Sequence, residues 1–134
     1  MSLNGALVLV AEDEPFFALD VALAIEDAGG EVVGPAASVR EAQALFEAKP
    51  IDGAILDVNL IDGDITPVAE AILRLGIPVI LQSGTGLPPE LAARFSDVVI
   101  HSKPCVSAKL VAQLAELIFE RERQSRTANR SATP

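Results

Sequence analysis

Five short apolar runs alternate along the chain with segments of helical periodicity, and that alternation leaves few folds open. The runs are Ala6–Ala11, Glu31–Pro35, Gly53–Asp57, Pro78–Gln82 and Asp97–His101, each of strand length and dominated by Ala, Val, Leu and Ile. Between them, apolar residues recur at helical spacing. Phe16, Leu19 and Leu23 predict a first helix, opened by Pro15 and stopped by Gly29-Gly30. Ser38 and Glu41 have capping-box spacing and open a second helix with Ala42, Leu45 and Phe46 inward. Thr66-Pro67 starts a third, with Val68, Ala71, Ile72 and Leu75 on one face and Gly76 at its end. Pro88-Pro89 introduces a short fourth, and Leu110, Val111, Leu114, Leu117 and Ile118 define the last. Apolar strands joined by helices read as parallel strands covered on both faces, linked by right-handed crossovers. Pro35 cannot donate to a ladder, so the second strand is expected to lie at a sheet edge or to end there. The expected fold is α/β: a doubly wound five-stranded parallel sheet in the order 2-1-3-4-5, a flavodoxin-like (βα)5 single domain. A length of 134 residues suits one such domain.

Composition excludes several classes. The net charge is −9, and residues 1–120 hold eighteen acids against six bases, which argues against direct nucleic-acid binding. No apolar run is long enough to span a membrane, and no basic-then-apolar leader opens the chain. One cysteine, Cys105, precludes an internal disulfide. These features lead to the expectation of a cytoplasmic protein. The domain is expected over residues 5–123, with a disordered polar tail over 124–134 whose arginines (Arg121, Arg123, Arg126 and Arg130 at its edge and within it) read as a solvated end.

In a doubly wound sheet, ligands bind outside the carboxyl ends of the strands where the order reverses, here between strands 1 and 3. Strand 1 delivers Glu12 and Asp13 to that crevice, strand 3 delivers Asp57 and the backbone carbonyl of Asn59, strand 4 delivers Ser83, and strand 5 leads to Lys103. Each has a plainer reading alone: Asp57 as a turn residue, Glu12 and Asp13 as acids at a helix N-terminus, Ser83 as a loop serine. Together they describe chemistry. Clustered carboxylates repel unless a cation neutralises them, and hard oxygen donors suit Mg²⁺. An Asp beside such a metal is a nucleophile for phosphoryl groups, and a hydroxyl and an ammonium can stabilise the oxygens of the group transferred. Cys105 reads as a packed small residue, and Asp62 and Asp64 as loop solvation.

The acidic pair Glu12-Asp13 followed by Glu14-Pro15, the strand Ile55-Leu56-Asp57, Ser83 after the fourth strand and Lys103-Pro104 after the fifth stand in order and at receiver spacing. The sequence resembles the receiver domain of bacterial two-component response regulators. The resemblance implies that Asp57 accepts a phosphoryl group from a sensor histidine kinase or histidine phosphotransfer protein. Mg²⁺ would be held by Asp13, Asp57 and the Asn59 carbonyl, with Glu12 acting mainly through water. It further implies that Ser83 and Lys103 engage the phosphoryl group, and that a face formed by helix 4, strand 5 and helix 5 switches to bind a downstream protein. A homodimer through that face is compatible with it. No membrane contact is implied.

This chain departs from the family pattern at four places. Glu12 stands where Asp is commoner, Ser83 where Thr is common, and Ile61 where a Pro often follows the Leu. His101 occupies the position of the usual Tyr or Phe switch residue, so a rotating aromatic gate is not expected. An aspartate-nucleophile phosphatase would want a second Asp two residues after the nucleophile, where Asn59 stands. A flavodoxin-type carrier would want aromatic residues to stack a flavin, and the chain has no Trp or Tyr. A degenerate receiver, binding partners without phosphorylation, is the alternative to the phosphoryl switch. In neither case is a metabolic enzyme expected.

Overall fold

A computed structural model describes residues 2–132. The elements are β1 (Leu7–Ala11), α1 (Pro15–Asp27), β2 (Glu31–Ala36), α2 (Val39–Ala48), β3 (Gly53–Asp57), β4 (Asn59–Leu60), β5 (Gly63–Asp64), α3 (Thr66–Arg74), β6 (Val79–Ser83), α4 (Pro89–Arg94), β7 (Val99–Ser102) and α5 (Ser107–Ala132). The main sheet is parallel and ordered β2-β1-β3-β6-β7, the order expected from alternation and from Pro35. β4 and β5 form a two-residue antiparallel hairpin beyond the end of β3.

Side-chain alternation divides the core into two layers. Leu9, Ala11, Ala54 and Leu56 face one way, against α2 and α3, while Val8, Val10, Ile55 and Ile80 face α1 and α5. β3 and β6 are buried along their whole length, and they carry Asp57 and Ser83 at their carboxyl ends. β7 is one edge strand and β2 the other. Its Gly34 has φ +106, and a Cβ there would meet Ala36 N at 2.8 Å and Val10 O at 2.9 Å. Only glycine fits where β2 irregularly steps past β1.

Several helix faces differ from expectation. On α1 the buried stripe is Ala18, Val21 and Ile25, whereas Phe16 (82% exposed), Leu19 and Leu23 point to solvent. Both triplets share the i, i+3, i+7 spacing, and periodicity alone does not choose between them. The choice is made by docking: Val21 and Ile25 pack with Val8, Val10 and Ile55 of the sheet, while Glu14 caps the helix start, accepting from Phe16 N (3.3 Å) and Phe17 N (2.7 Å). On α3, Val68, Ala69 and Ile72 are buried while Leu75, at the C-cap, is exposed. Leu3, in a segment without sequence signal, is buried, and its N–H donates to Ala28 O.

Asp62 and Asp64 are not merely solvated. Asp62 accepts from Val39 N (2.6 Å) and Arg40 N (3.2 Å), capping α2 together with Ser38, and Asp64 accepts from Thr66 N (2.7 Å) at the start of α3. The β4–β5 hairpin thus supplies caps to two helices. The expected polar tail is also different: α5 continues without a break to Ala132. Arg, Glu, Gln and Ala are good helix formers, Glu120 pairs with Arg123, and Arg121 reaches Leu75 O at 3.4 Å. Residues 133–134 and the Arg130 side chain lie outside the described residues.

Candidate functional site

The carboxyl ends of β1, β3 and β6 open into one crevice, as the strand order requires. Glu12 and Asp57 are 3% and 2% exposed, and Asp13 lies at the rim. One carboxylate oxygen from each of the three can be chosen so that all lie within 4.8 Å of one another. Lys103 follows β7, its backbone N–H anchored to Ser83 O at 3.0 Å. Its Nζ is 2.6 Å from Asp57 Oδ2 and 3.8 Å from Glu12 Oε1. A cleft of about 370 Å³ lined by Glu12, Gln82, Lys103 and Cys105 opens beside these groups.

The electrostatics follow from this crowding. Burial first, and then the hydrogen bond and charge of Asp57, push the Glu12 carboxyl up to about 7. Burial works against charge on Lys103, but its bond to Asp57 and the surrounding carboxylates outweigh it and hold the ammonium above its ordinary pKa. Burial raises the Cys105 thiol, which therefore stays a hydrogen-bond donor at neutral pH. One ammonium faces three carboxylates, and the donors are all hard oxygens. That set fits Mg²⁺, which prefers few carboxylates and keeps water for the rest of its coordination.

The other expected residues surround this centre. Asn59 lies at the start of β4; its N–H donates to Asp57 Oδ1 (3.2 Å) and its amide to Thr85 Oγ1 (3.2 Å). Ser83 is buried at the end of β6, with its hydroxyl accepting from Thr85 N (2.9 Å) and sharing a hydrogen bond with Thr85 Oγ1 (3.1 Å). His101 is not brought into the acidic cluster: its Nε2 is 2.5 Å from Gln113 Oε1 on α5. Two residues of the network carry no motif in sequence. Thr85 ties Asn59 to Ser83, and Gln82 bridges Glu12 and Cys105. The signal for Gln82 was present in the sequence: an amide ending an otherwise apolar strand.

Fold and site together place three carboxylates, a hydroxyl and an ammonium in a crevice at the switch point of a doubly wound sheet, the layout of a signalling receiver. The chain belongs to the receiver domains of response regulators. It is 32% identical to SdrG from Sphingomonas melonis Fr1, with a TM-score of 0.69, over 89% of this chain and 99% of that one. It is 28% identical to the response regulator PhyR from Brucella abortus, with a TM-score of 0.76, over 95% of this chain and 53% of that one. A CheY-like receiver domain protein from Methanospirillum hungatei JF-1 shares the fold, with a TM-score of 0.77 at 23% identity, over 90% of this chain and 98% of that one. The chain spans about half the length of the PhyR proteins it matches. No protein-family model matches it, and no curated protein sequence does. No described helix is long and apolar enough to cross a membrane.

Proposed function

We propose that this chain is a phosphoryl-accepting switch and that Asp57 is the acceptor. The observation that carries this reading is the Lys103–Asp57 contact at 2.6 Å inside the three-carboxylate cluster. Asp57 is nearly buried and held from two sides, by Lys103 Nζ and by the N–H of Asn59. A carboxylate oxygen of Asp57 attacks the phosphorus of a phosphohistidine presented by a sensor histidine kinase or histidine phosphotransfer protein. The P–O bond forms as the P–N bond breaks, and the imidazole nitrogen leaves with the electron pair and takes up a proton.

Asp13, Asp57 and the Asn59 carbonyl would hold Mg²⁺ directly, with Glu12 acting through water. Bound there, Mg²⁺ supplies positive charge that offsets the phosphoryl oxygens and the crowded carboxylates. Lys103 moves from its pair with Asp57 to the new phosphoryl oxygens. Ser83 gives up its contacts with Thr85 to donate its hydroxyl there, which shifts the loop after β6. That loop leads into α4 and stands beside β7, so the face of α4, β7 and α5 is the surface a downstream protein reads, and a second copy of the chain is a candidate occupant of it. His101, tied to Gln113, does not act as a rotating aromatic gate. The switch therefore runs through Ser83 and Lys103. One relative, PhyR from Bartonella quintana, is described as an anti-anti-sigma factor, which favours output by protein–protein contact here too. The cytoplasm is where such a phosphodonor would meet the chain.

Intact mass after incubation with Mg²⁺ and acetyl phosphate tests the chemistry. A phosphoryl-sized, Mg²⁺-dependent adduct, absent from Asp57→Asn, is expected. If neither an adduct nor Mg²⁺-dependent beryllofluoride binding is found, the phosphorylation-independent module replaces this reading.

A further inference from the structure

Gln82 is 1% exposed and sits on β6 between the apolar run Val79–Leu81 and Ser83. By strand alternation its side chain shares the face of Ile80, toward α1 and α5. A primary amide in that position is costly unless both ends are bonded. Both are: Nε2 donates to Glu12 Oε1 at 3.1 Å, and Oε1 accepts from the Cys105 thiol at 3.2 Å. The other oxygen of Glu12 accepts from Glu14 N at 3.1 Å. Glu12 has one more rotatable bond than Asp13 or Asp57, and these two contacts remove that freedom. Gln82 does so as a neutral donor, leaving the charge of Glu12 available to a cation.

We infer that Gln82 is a positioning residue for the cation site: it holds the Glu12 carboxylate in place, and the Cys105 S–H holds the Gln82 amide in the orientation that makes this work. The inference rests on the receiver reading above. Cys105, Gln82 and Glu12 form one chain of hydrogen bonds running from the side cleft to the acids.

The test is calorimetric titration of the full chain with Mg²⁺ alone. Gln82→Met, which keeps volume and removes both bonds, is expected to weaken Mg²⁺ binding about tenfold, at the low end of the effect of a residue that supports a metal ligand. In a Glu12→Gln background the same substitution is expected to change affinity no further, because Gln82 acts through Glu12. Cys105→Val is expected to weaken binding a few-fold, whereas Cys105→Ser, which keeps a donor, retains the wild-type affinity. This pair leaves Gln82 in place and so reads the relay even if Gln82→Met fails to fold. Wild-type affinity in Gln82→Met, an equal loss in the Glu12→Gln background, or equal affinities for the two Cys105 variants would each overturn the inference. A wild-type chain that binds no Mg²⁺, or an Asp57→Asn variant that binds it equally well, would instead overturn the receiver reading, and the positioning role with it.

Discussion

Lys103 Nζ lies 2.6 Å from Asp57 Oδ2 and 3.8 Å from Glu12 Oε1, so a single ammonium, about one-third exposed, serves two nearly buried carboxylates. Its removal has two expected consequences of opposite sign. Lys103→Met leaves Asp57 and Glu12 without their cation and is expected to lower the unfolding free energy by about 1–2 kcal/mol. That is below the roughly 3–5 kcal/mol of a fully buried pair, because water already screens this ammonium. The same variant is expected to bind Mg²⁺ more tightly, since a competing cation has gone. Urea denaturation without metal and Mg²⁺ titration check the two halves separately.

The pH dependence of stability follows from Glu12. Its carboxyl is raised from 4.5 to about 7 in the folded chain, so between those values the folded protein keeps a proton that the unfolded chain releases. The contribution of Glu12 is therefore fully present below about 4.5 and is lost as the pH rises through about 7. Urea midpoints without metal are expected to fall over that window, and Glu12→Gln is expected to remove this fall. Saturating Mg²⁺ should flatten it as well, because a cation favours the ionised carboxylates.

The orientation of α1 can be checked by substitution on its two apolar stripes. Leu19 and Leu23 are exposed, so Leu19→Gln and Leu23→Gln are expected to change stability by less than about 0.5 kcal/mol. Ile25 is fully buried, and Ile25→Ala is expected to cost about 2–5 kcal/mol. A large loss at Leu19 would reverse the assignment of faces.

Asp62 caps α2 from the β4–β5 hairpin, and hydrogen bonds from Val39 N and then Arg40 N hold its carboxyl below the usual value of 3.8. A lowered pKa contributes stability above the unfolded value that is lost as the pH falls through the folded one. Asp62→Ala is thus expected to lower the melting temperature at neutral pH, with the difference shrinking at acid pH below that range. Faster hydrogen exchange at the Val39 and Arg40 amides would locate the effect.

Gly34 tests the edge of the sheet. Its φ of +106, with Ala36 N and Val10 O less than 3.0 Å from where a Cβ would stand, leaves no room for a side chain. Gly34→Ala is expected to cost more than about 2 kcal/mol, combining the left-handed penalty with the clash. Urea denaturation measures it directly.

The strand order and the positions of Asp57, Ser83 and Lys103 were legible in the sequence because each rests on local chemistry. Apolar runs of strand length alternate with helical spacing, Pro35 sends β2 to the edge, and each of these residues stands at or just past the end of a run. The convergence of Glu12, Asp13 and Asp57 followed from that order alone. What the tertiary structure decided concerns rotation and partners. Phe16-Leu19-Leu23 and Ala18-Val21-Ile25 have identical spacing, and only docking on the sheet selects one. Asp62 and Ser38 lie 24 positions apart, so their shared cap on α2 depends on where the hairpin folds back. Gln82 meets Glu12 across 70 residues and Cys105 across 23. Hydrophobic pattern is a property of neighbours in sequence and determines the elements; hydrogen-bond partners at a few ångströms are a property of packing and appear only when the elements are assembled.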